Sequence, residues 1–207
     1  MELGFFAYVI AAVAAYLLGS VSVSVLLTKL VFHNDVRSQG SGNAGATNVA
    51  RVFGMGAGVI TLFGDVAKTV IAMLIGKWLA GDTGLAVAGA ACLIGHCWPV
   101  YFRFKGGKGV SVGAAVGAMI DWRIILVLVA VFFLTFAICR IVSVCSMACA
   151  VTLPLACLVL AVPTPQLVLG ILTGILVFFM HRGNLVRLFR GEEKKFKPGS
   201  RKKKDEA

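Results

Sequence analysis

The 207-residue chain is 59% apolar and only 14% charged, with a formal net charge of +11 and a mean hydropathy of +0.93. This composition excludes a soluble globular domain and a disordered chain, and points to an all-α polytopic membrane protein. At roughly 20 apolar residues per crossing plus short connections, the length allows about six or seven helices.

In chain order, the first apolar run extends from Leu3 to Phe32, with Lys29 near its end. It has no basic n-region and is too long for the apolar part of a signal peptide, so it is expected to be a retained transmembrane helix. Further spans are predicted at about 53–79, 85–101, 109–121, 124–139, 144–162 and 166–181. Polar hinges separate them at Asp82, Asp121-Trp122-Arg123, Arg140 and Pro163-Thr164-Pro165. Seven crossings is the preferred count and six the alternative. The span at 109–121 is short, and must tilt, thin the bilayer or pack inside the protein.

Between the first two spans lies "RSQGSGNAGATNVAR", Arg37 to Arg51, where the only bulky hydrophobe is Val49. Gly40, Gly42 and Gly45 permit positive φ, and Ser41, Asn43, Thr47 and Asn48 are short polar side chains. Such a loop either packs as a small-residue turn or aims several N–H groups at one anion. Arg37 and Arg51 at its ends favour the anion, since arginine suits bidentate phosphate contacts.

Two further blocks combine glycine with cations. "HCWPVYFRFKGGKGVSVG" begins at His96 and sets Lys105 and Lys108 around Gly106, Gly107 and Gly109, just before a new apolar segment. A helix N-terminus, backbone amides and a lysine could meet there on a phosphate, although the spacing is not that of a Walker loop. "HRGNLVRLFRGEEKKF" begins at His181 and places Asn184 one helical turn on, with Arg182, Arg187 and Arg190 nearby. "CRIVSVCS" sets Arg140 and Ser143 on one turn, and "FGDVAKTV" buries Asp65 and Lys68 on one helix face, where they are expected to pair.

With seven crossings, nearly all basic residues outside the spans fall on one side, which the positive-inside rule makes cytoplasmic. The N-terminus is then outside and the C-terminus inside. A single membrane domain is expected over 1–190, followed by a basic tail over 191–207 in which "KKFKPGSRKKKDEA" carries seven cations against two acids. Attraction to anionic headgroups explains that tail better than nucleic-acid binding, for which no aromatic platform is present. The six cysteines, at 92, 97, 139, 145, 149 and 157, have no metal-ligand spacing and read as small packing residues.

In order and spacing, "GS" at Gly19-Ser20, "DVRSQGSGNAGATNVAR", "GHCWPVYFRFKGGKGV", "RIVSVCS" and "HRGNLVRLFRGEEKKF" resemble the bacterial acyl-phosphate-dependent glycerol-3-phosphate acyltransferases, the PlsY family. The resemblance covers nearly the whole chain. It implies acyl transfer from acyl phosphate to the 1-hydroxyl of sn-glycerol 3-phosphate, giving 1-acyl-sn-glycerol 3-phosphate and phosphate. No metal, cofactor, nucleic acid or obligate protein partner is implied, and the setting is the bacterial inner membrane, with membrane lipid around the protein and the site on its cytoplasmic side. Carried over by motif, His181, Asn184, Lys108 and Ser41 are the expected catalytic residues. Arg51, Arg140, Ser143, Asn43, Thr47 and Asn48 would hold substrate phosphate, together with Gly106, Gly107 and Gly109. His96, Glu192, Asp65 and Lys68 would support them.

Attack by the glycerol hydroxyl needs a proton acceptor, and His181, His96 or the donor's own phosphate could serve. The phosphate is preferred, with His181 and Asn184 positioning the acceptor. Three departures stand out: "GSVSVSV" where the family commonly has Gly-Ser-Ile-Pro, "VSVG" for Val-Ala-Thr, and Ile141 for a common tyrosine. A phosphate transporter would be expected to show internal repeats, of which none is convincing. A noncatalytic scaffold would not need the three glycine-basic loops.

Overall fold

The computed structural model describes residues 2–196, so residues 197–207 of the predicted basic tail lie outside the described residues. Every regular element among them is helical: α1 (Glu2–Ser20), α2 (Val23–Phe32), α3 (Ala46–Phe53), α4 (Met55–Cys97), α5 (Val110–Ile120), α6 (Trp122–Cys139), α7 (Val142–Val159), α8 (Thr164–Met180) and α9 (Arg182–Phe189). Short 3₁₀ turns occupy Val36–Ser38 and Val100–Phe102.

The first apolar run breaks at Val21-Ser22 without a proline. Ser22 lies at φ −88°, ψ 97°, and its hydroxyl is 3.0 Å from that of Ser24, which donates to the Ala44 carbonyl at 3.0 Å. A break frees backbone carbonyls, which cannot stay unpaired inside a membrane protein. Lys68 on α4 supplies the donor, reaching Gly19 O at 3.0 Å and Val21 O at 2.7 Å. The break therefore rests on two serines and on a lysine that serves the exposed carbonyls.

α4 reverses on itself. Ala80 and Gly81 leave helical geometry, Gly81 at φ +62°, and an added methyl on Gly76 would lie 2.4 Å from Gly84 O and 2.5 Å from Ala88 Cβ. Residues twelve apart in a straight helix are about 18 Å apart, so 55–79 and 82–97 form an antiparallel hairpin. The polar hinge expected at Asp82 is therefore a two-residue turn. α1 packs on α4 just as closely: a methyl on Gly19 would meet Cys92 O at 2.2 Å, and one on Gly95 would meet Tyr16 O at 2.3 Å. Small residues let membrane helices touch backbone to backbone.

Four stretches are long and apolar enough to cross a bilayer: Gly4–Phe32, Met55–Phe102, Trp122–Cys139 and Val142–Val159. The α8–α9 pair, bent by 50°, makes a fifth. That falls short of the expected seven for two reasons. The α4 hairpin scores as one stretch, and α5, with 11 residues, spans only about 16 Å of a ~30 Å hydrocarbon layer. Of the three options for that short segment, α5 takes burial: Val112, Ala115 and Val116 are at most 1% exposed, and Val112 and Val116 pack with Met73, Leu93 and Leu169.

The starts of α6, α7 and α8 fall two residues before the sequence estimate, whereas α4 and α5 start two residues and one residue after it. Asp121 caps α6 by accepting the Arg123 N–H at 2.8 Å, and Pro165 sits in the first turn of α8, where its missing N–H costs nothing.

Candidate active site

The loop before α3 is built around one buried side chain. Asn48, 2% exposed, accepts the Ser41 N–H through Oδ1 at 2.9 Å and donates through Nδ2 to the carbonyls of Val36, Gln39 and Asn43 at 3.0–3.1 Å. This ties both ends of the glycine segment together and opens α3 toward a cavity. Asn48, expected among the phosphate contacts, does line the cavity, with its amide hydrogen-bonded inside the loop. Arg37 is likewise committed: its Nη2 pairs with Asp35 at 2.7 Å and its Nη1 donates to Phe102 O at 2.9 Å, clasping this loop to the next.

The second glycine block works mainly through close approach. The Gly107 N–H donates to His96 O at 3.1 Å, and a methyl on Gly106 would lie 2.1 Å from that same oxygen. A methyl on Gly107 would meet His96 Nε2 at 2.2 Å. Gly109, at φ +80°, then starts α5. Gly106, Gly107 and Gly109 do not line the cavity, and the Gly107 amide is bonded to His96 O, while Lys108 between them does line it.

Beneath them sits a buried ionic cluster. Lys68 Nζ pairs with Asp65 Oδ1 at 2.9 Å and approaches His96 Nδ1 at 3.2 Å, while Ser111 donates to Asp65 Oδ2 at 3.1 Å. Asp65 is 1% and Lys68 7% exposed. The cluster joins α1, both arms of the α4 hairpin and α5, and two of its members, His96 and Ser111, reach the cavity.

That cavity, ≈720 Å³, has a polar end and an apolar end. Ser41, Asn43, Thr47, Asn48, Arg51, His96, Lys108, Ser143, His181, Asn184 and Glu192 line the polar end, so eleven of the sequence-nominated residues meet on one surface. The N-terminal turns of α3, α5 and α7 all open onto it, at Ala46-Thr47, Val110-Ser111 and Val142-Ser143, adding partial positive charge to that of the side chains. Ile125, Val129, Phe132 and Phe133 of α6 extend the wall into an apolar trench.

Lys108 donates to Asn184 Oδ1. Burial, followed by the charge of Arg187, brings its pKa down to about 8, against the opposing pull of Glu193. His181, 3% exposed, has Nδ1 2.7 Å from Val177 O. A carbonyl can only accept, so Nδ1 carries the hydrogen and Nε2 is the free acceptor.

Arg140 is not brought in. It is exposed at the end of α6 in left-handed geometry (φ 56°), lies outside the cavity wall, and its carbonyl accepts the Phe196 N–H at 2.8 Å. Glu192 does line the cavity, but its neighbour makes the contacts. Glu193 accepts from Ser143 Oγ at 2.7 Å, Asn184 Nδ2 at 2.6 Å and Arg187 Nε at 2.6 Å. These bonds hold its carboxyl below its ordinary range despite partial burial. Sequence reasoning overlooked Glu193, and named the cavity-facing Arg187 only as a nearby cation. Gly191, at φ +69°, turns the chain back after α9, and of the two consecutive glutamates that line the cavity it is Glu193 that takes the hydrogen bonds.

The sequence model described as "Glycerol-3-phosphate acyltransferase" matches residues 9–191. The chain belongs to the glycerol-3-phosphate acyltransferase family. It is 42% identical over 187 residues to the Pseudomonas aeruginosa enzyme of that name, covering 89% of this chain and 97% of the relative. It is 38% identical to the Thermoanaerobacter pseudethanolicus protein, covering 90% and 94%. Crystal structures of PlsY, an integral membrane glycerol 3-phosphate acyltransferase, superimpose with TM-scores of 0.87 for the glycerol 3-phosphate form and 0.84 for the lysophosphatidic acid form. They share 35% and 33% identity with this chain, and each match covers 92% of it and at least 95% of the solved chain. As a family member this is an integral membrane acyltransferase of lipid biosynthesis.

Proposed function

We propose that the protein moves a fatty acyl group from acyl phosphate to the 1-hydroxyl of sn-glycerol 3-phosphate, releasing 1-acyl-sn-glycerol 3-phosphate and inorganic phosphate. The observation that carries this reading is a cavity that runs without a break from a cationic end to an apolar trench. Its two ends match the two parts of an acyl phosphate, and the polar end is accessible to a small, soluble phosphate ester. Each phosphate brings a charge of about −1.5 to −2. Arg51, Lys108, Arg187 and three helix N-termini oppose that charge, so the reactants can be held side by side.

Chemistry then needs little activation, because phosphate is a good leaving group. The glycerol 1-hydroxyl attacks the acyl carbon, its proton passes to a phosphate oxygen of the donor, and the acyl–oxygen bond breaks. His181 and Asn184 orient the hydroxyl. His181 is a poor final resting place for the proton: it is buried, and a charged ring would stand beside Lys108. We place seven crossings in the bacterial inner membrane, with the N-terminus outside and the cationic end of the cavity cytoplasmic.

Purified protein in detergent, given acyl phosphate and glycerol 3-phosphate, should release lysophosphatidate and phosphate in equal amounts. Absence of both would refute the proposal. His181→Gln should keep turnover above background at saturating substrate, and a fall to background would make His181 the proton acceptor.

A further inference from the structure

The three donors around Glu193 form an anion seat filled by the protein's own carboxylate. Ser143 comes from the first turn of α7, while Asn184 and Arg187 come from one face of α9, and all three line the cavity. A hydroxyl, an amide N–H₂ and a guanidinium converging on two oxygens at 2.6–2.7 Å is the donor set a phosphate would also satisfy. The seat adjoins Asn184 Oδ1 and Lys108, at the centre of the catalytic end.

Glu193 reaches the seat from a light support. α9 ends at Phe189, Gly191 reverses the chain at φ +69°, and residues 192–196 run back without regular structure. The segment is tethered by the Phe196 N–H to Arg140 O, at 2.8 Å, and by the Phe196 ring edge-on to Phe136, with centroids 6.3 Å apart. The strap therefore leaves the seat by breaking a few contacts, with no helix to unwind.

We infer that Glu193 is a resident counter-ion that a substrate phosphate must displace, and that the Ser143–Asn184–Arg187 seat is a phosphate site gated by the 191–196 strap. The inference rests on the acyl-transfer reading above. A phosphate offers three oxygens and more charge than a carboxylate, so it wins the seat when present. Glu193 keeps the three donors, of which Ser143 and Asn184 are buried, satisfied when no phosphate is bound. Its return competes with bound phosphate and so favours release of the inorganic product. If the carboxylate occupies the seat about nine-tenths of the time, apparent phosphate affinity is lowered about tenfold.

Inorganic phosphate is the probe, and two measurements decide the matter. In wild-type protein, saturating phosphate, compared with chloride at equal ionic strength, should speed amide hydrogen exchange at Phe196 several-fold. Unchanged or slower exchange, while phosphate still inhibits turnover or raises thermal stability, overturns the inference. Glu193→Gln keeps an acceptor oxygen but loses the charge, and should bind phosphate about tenfold more tightly by calorimetry. Equal or weaker binding overturns it. Should that variant fail to fold, the wild-type exchange result decides alone. Neither readout requires turnover, so failure of the acyl-transfer reading would show separately as absence of product.

Discussion

Lys108 offers the most direct test of the electrostatics. Its ammonium is drawn down to about 8, first by burial and then by Arg187. The charged form binds anionic substrate, so activity is present below that value and lost as pH rises through it. A group with a pKa of about 8 is about 91% charged at pH 7 and about 9% charged at pH 9, a tenfold loss worth about 1.4 kcal/mol. An ordinary lysine, near 10.4, would be almost fully charged throughout. Substrate titration does not confuse the reading, because a phosphate monoester loses its second proton near pH 6. The assay is kcat/KM for glycerol 3-phosphate from pH 6.5 to 9.5, with lysophosphatidate as the product followed. Lys108→Arg should flatten the alkaline limb whatever its absolute rate, since guanidinium stays charged. A flat wild-type profile, or the same limb in Lys108→Arg, would refute the reasoning.

Three stability and geometry predictions follow from the scaffold. Gly106→Ala puts a methyl 2.1 Å from His96 O, a backbone atom that cannot rotate away, so the loop carrying Lys108 must shift; kcat/KM should drop about 100-fold with helix content by circular dichroism unchanged. Lys68→Met strips Asp65 of its lysine partner, leaving Ser111 and His96 beside it, and leaves two carbonyls unserved, which should cost about 3–5 kcal/mol in detergent unfolding. Adding Asp65→Asn should recover part of that loss, and strictly additive losses would show that the two do not act as a pair. Asn48→Asp turns a donor to three carbonyls into an acceptor facing them, and should destabilise by at least about 3 kcal/mol; a change under about 1 kcal/mol by the same unfolding assay would contradict its role as the loop's hub.

What the sequence determined by itself was local. Hydropathy runs marked the apolar helices because lipid demands unbroken apolar stretches, and glycine beside arginine, lysine and histidine marked the motif loops because few other purposes need that mixture between spans. The pairing of Asp65 with Lys68 was equally legible, since two charges three residues apart on one buried face have little alternative. Tertiary structure alone decided what those loops do to one another. The reversal at Gly81 brings His96 to Lys68, the chain returning after Gly191 gives the hydrogen bonds to Glu193 although Glu192 lines the cavity too, and the end of α6 leaves Arg140 outside while Ser143 faces in. Asn48 and Gly107 look like ligand residues by composition, yet their hydrogen-bonding groups are consumed within the protein. Residue type sets what a group can bind. Only the packing of distant segments sets whether a substrate or the chain itself reaches it first.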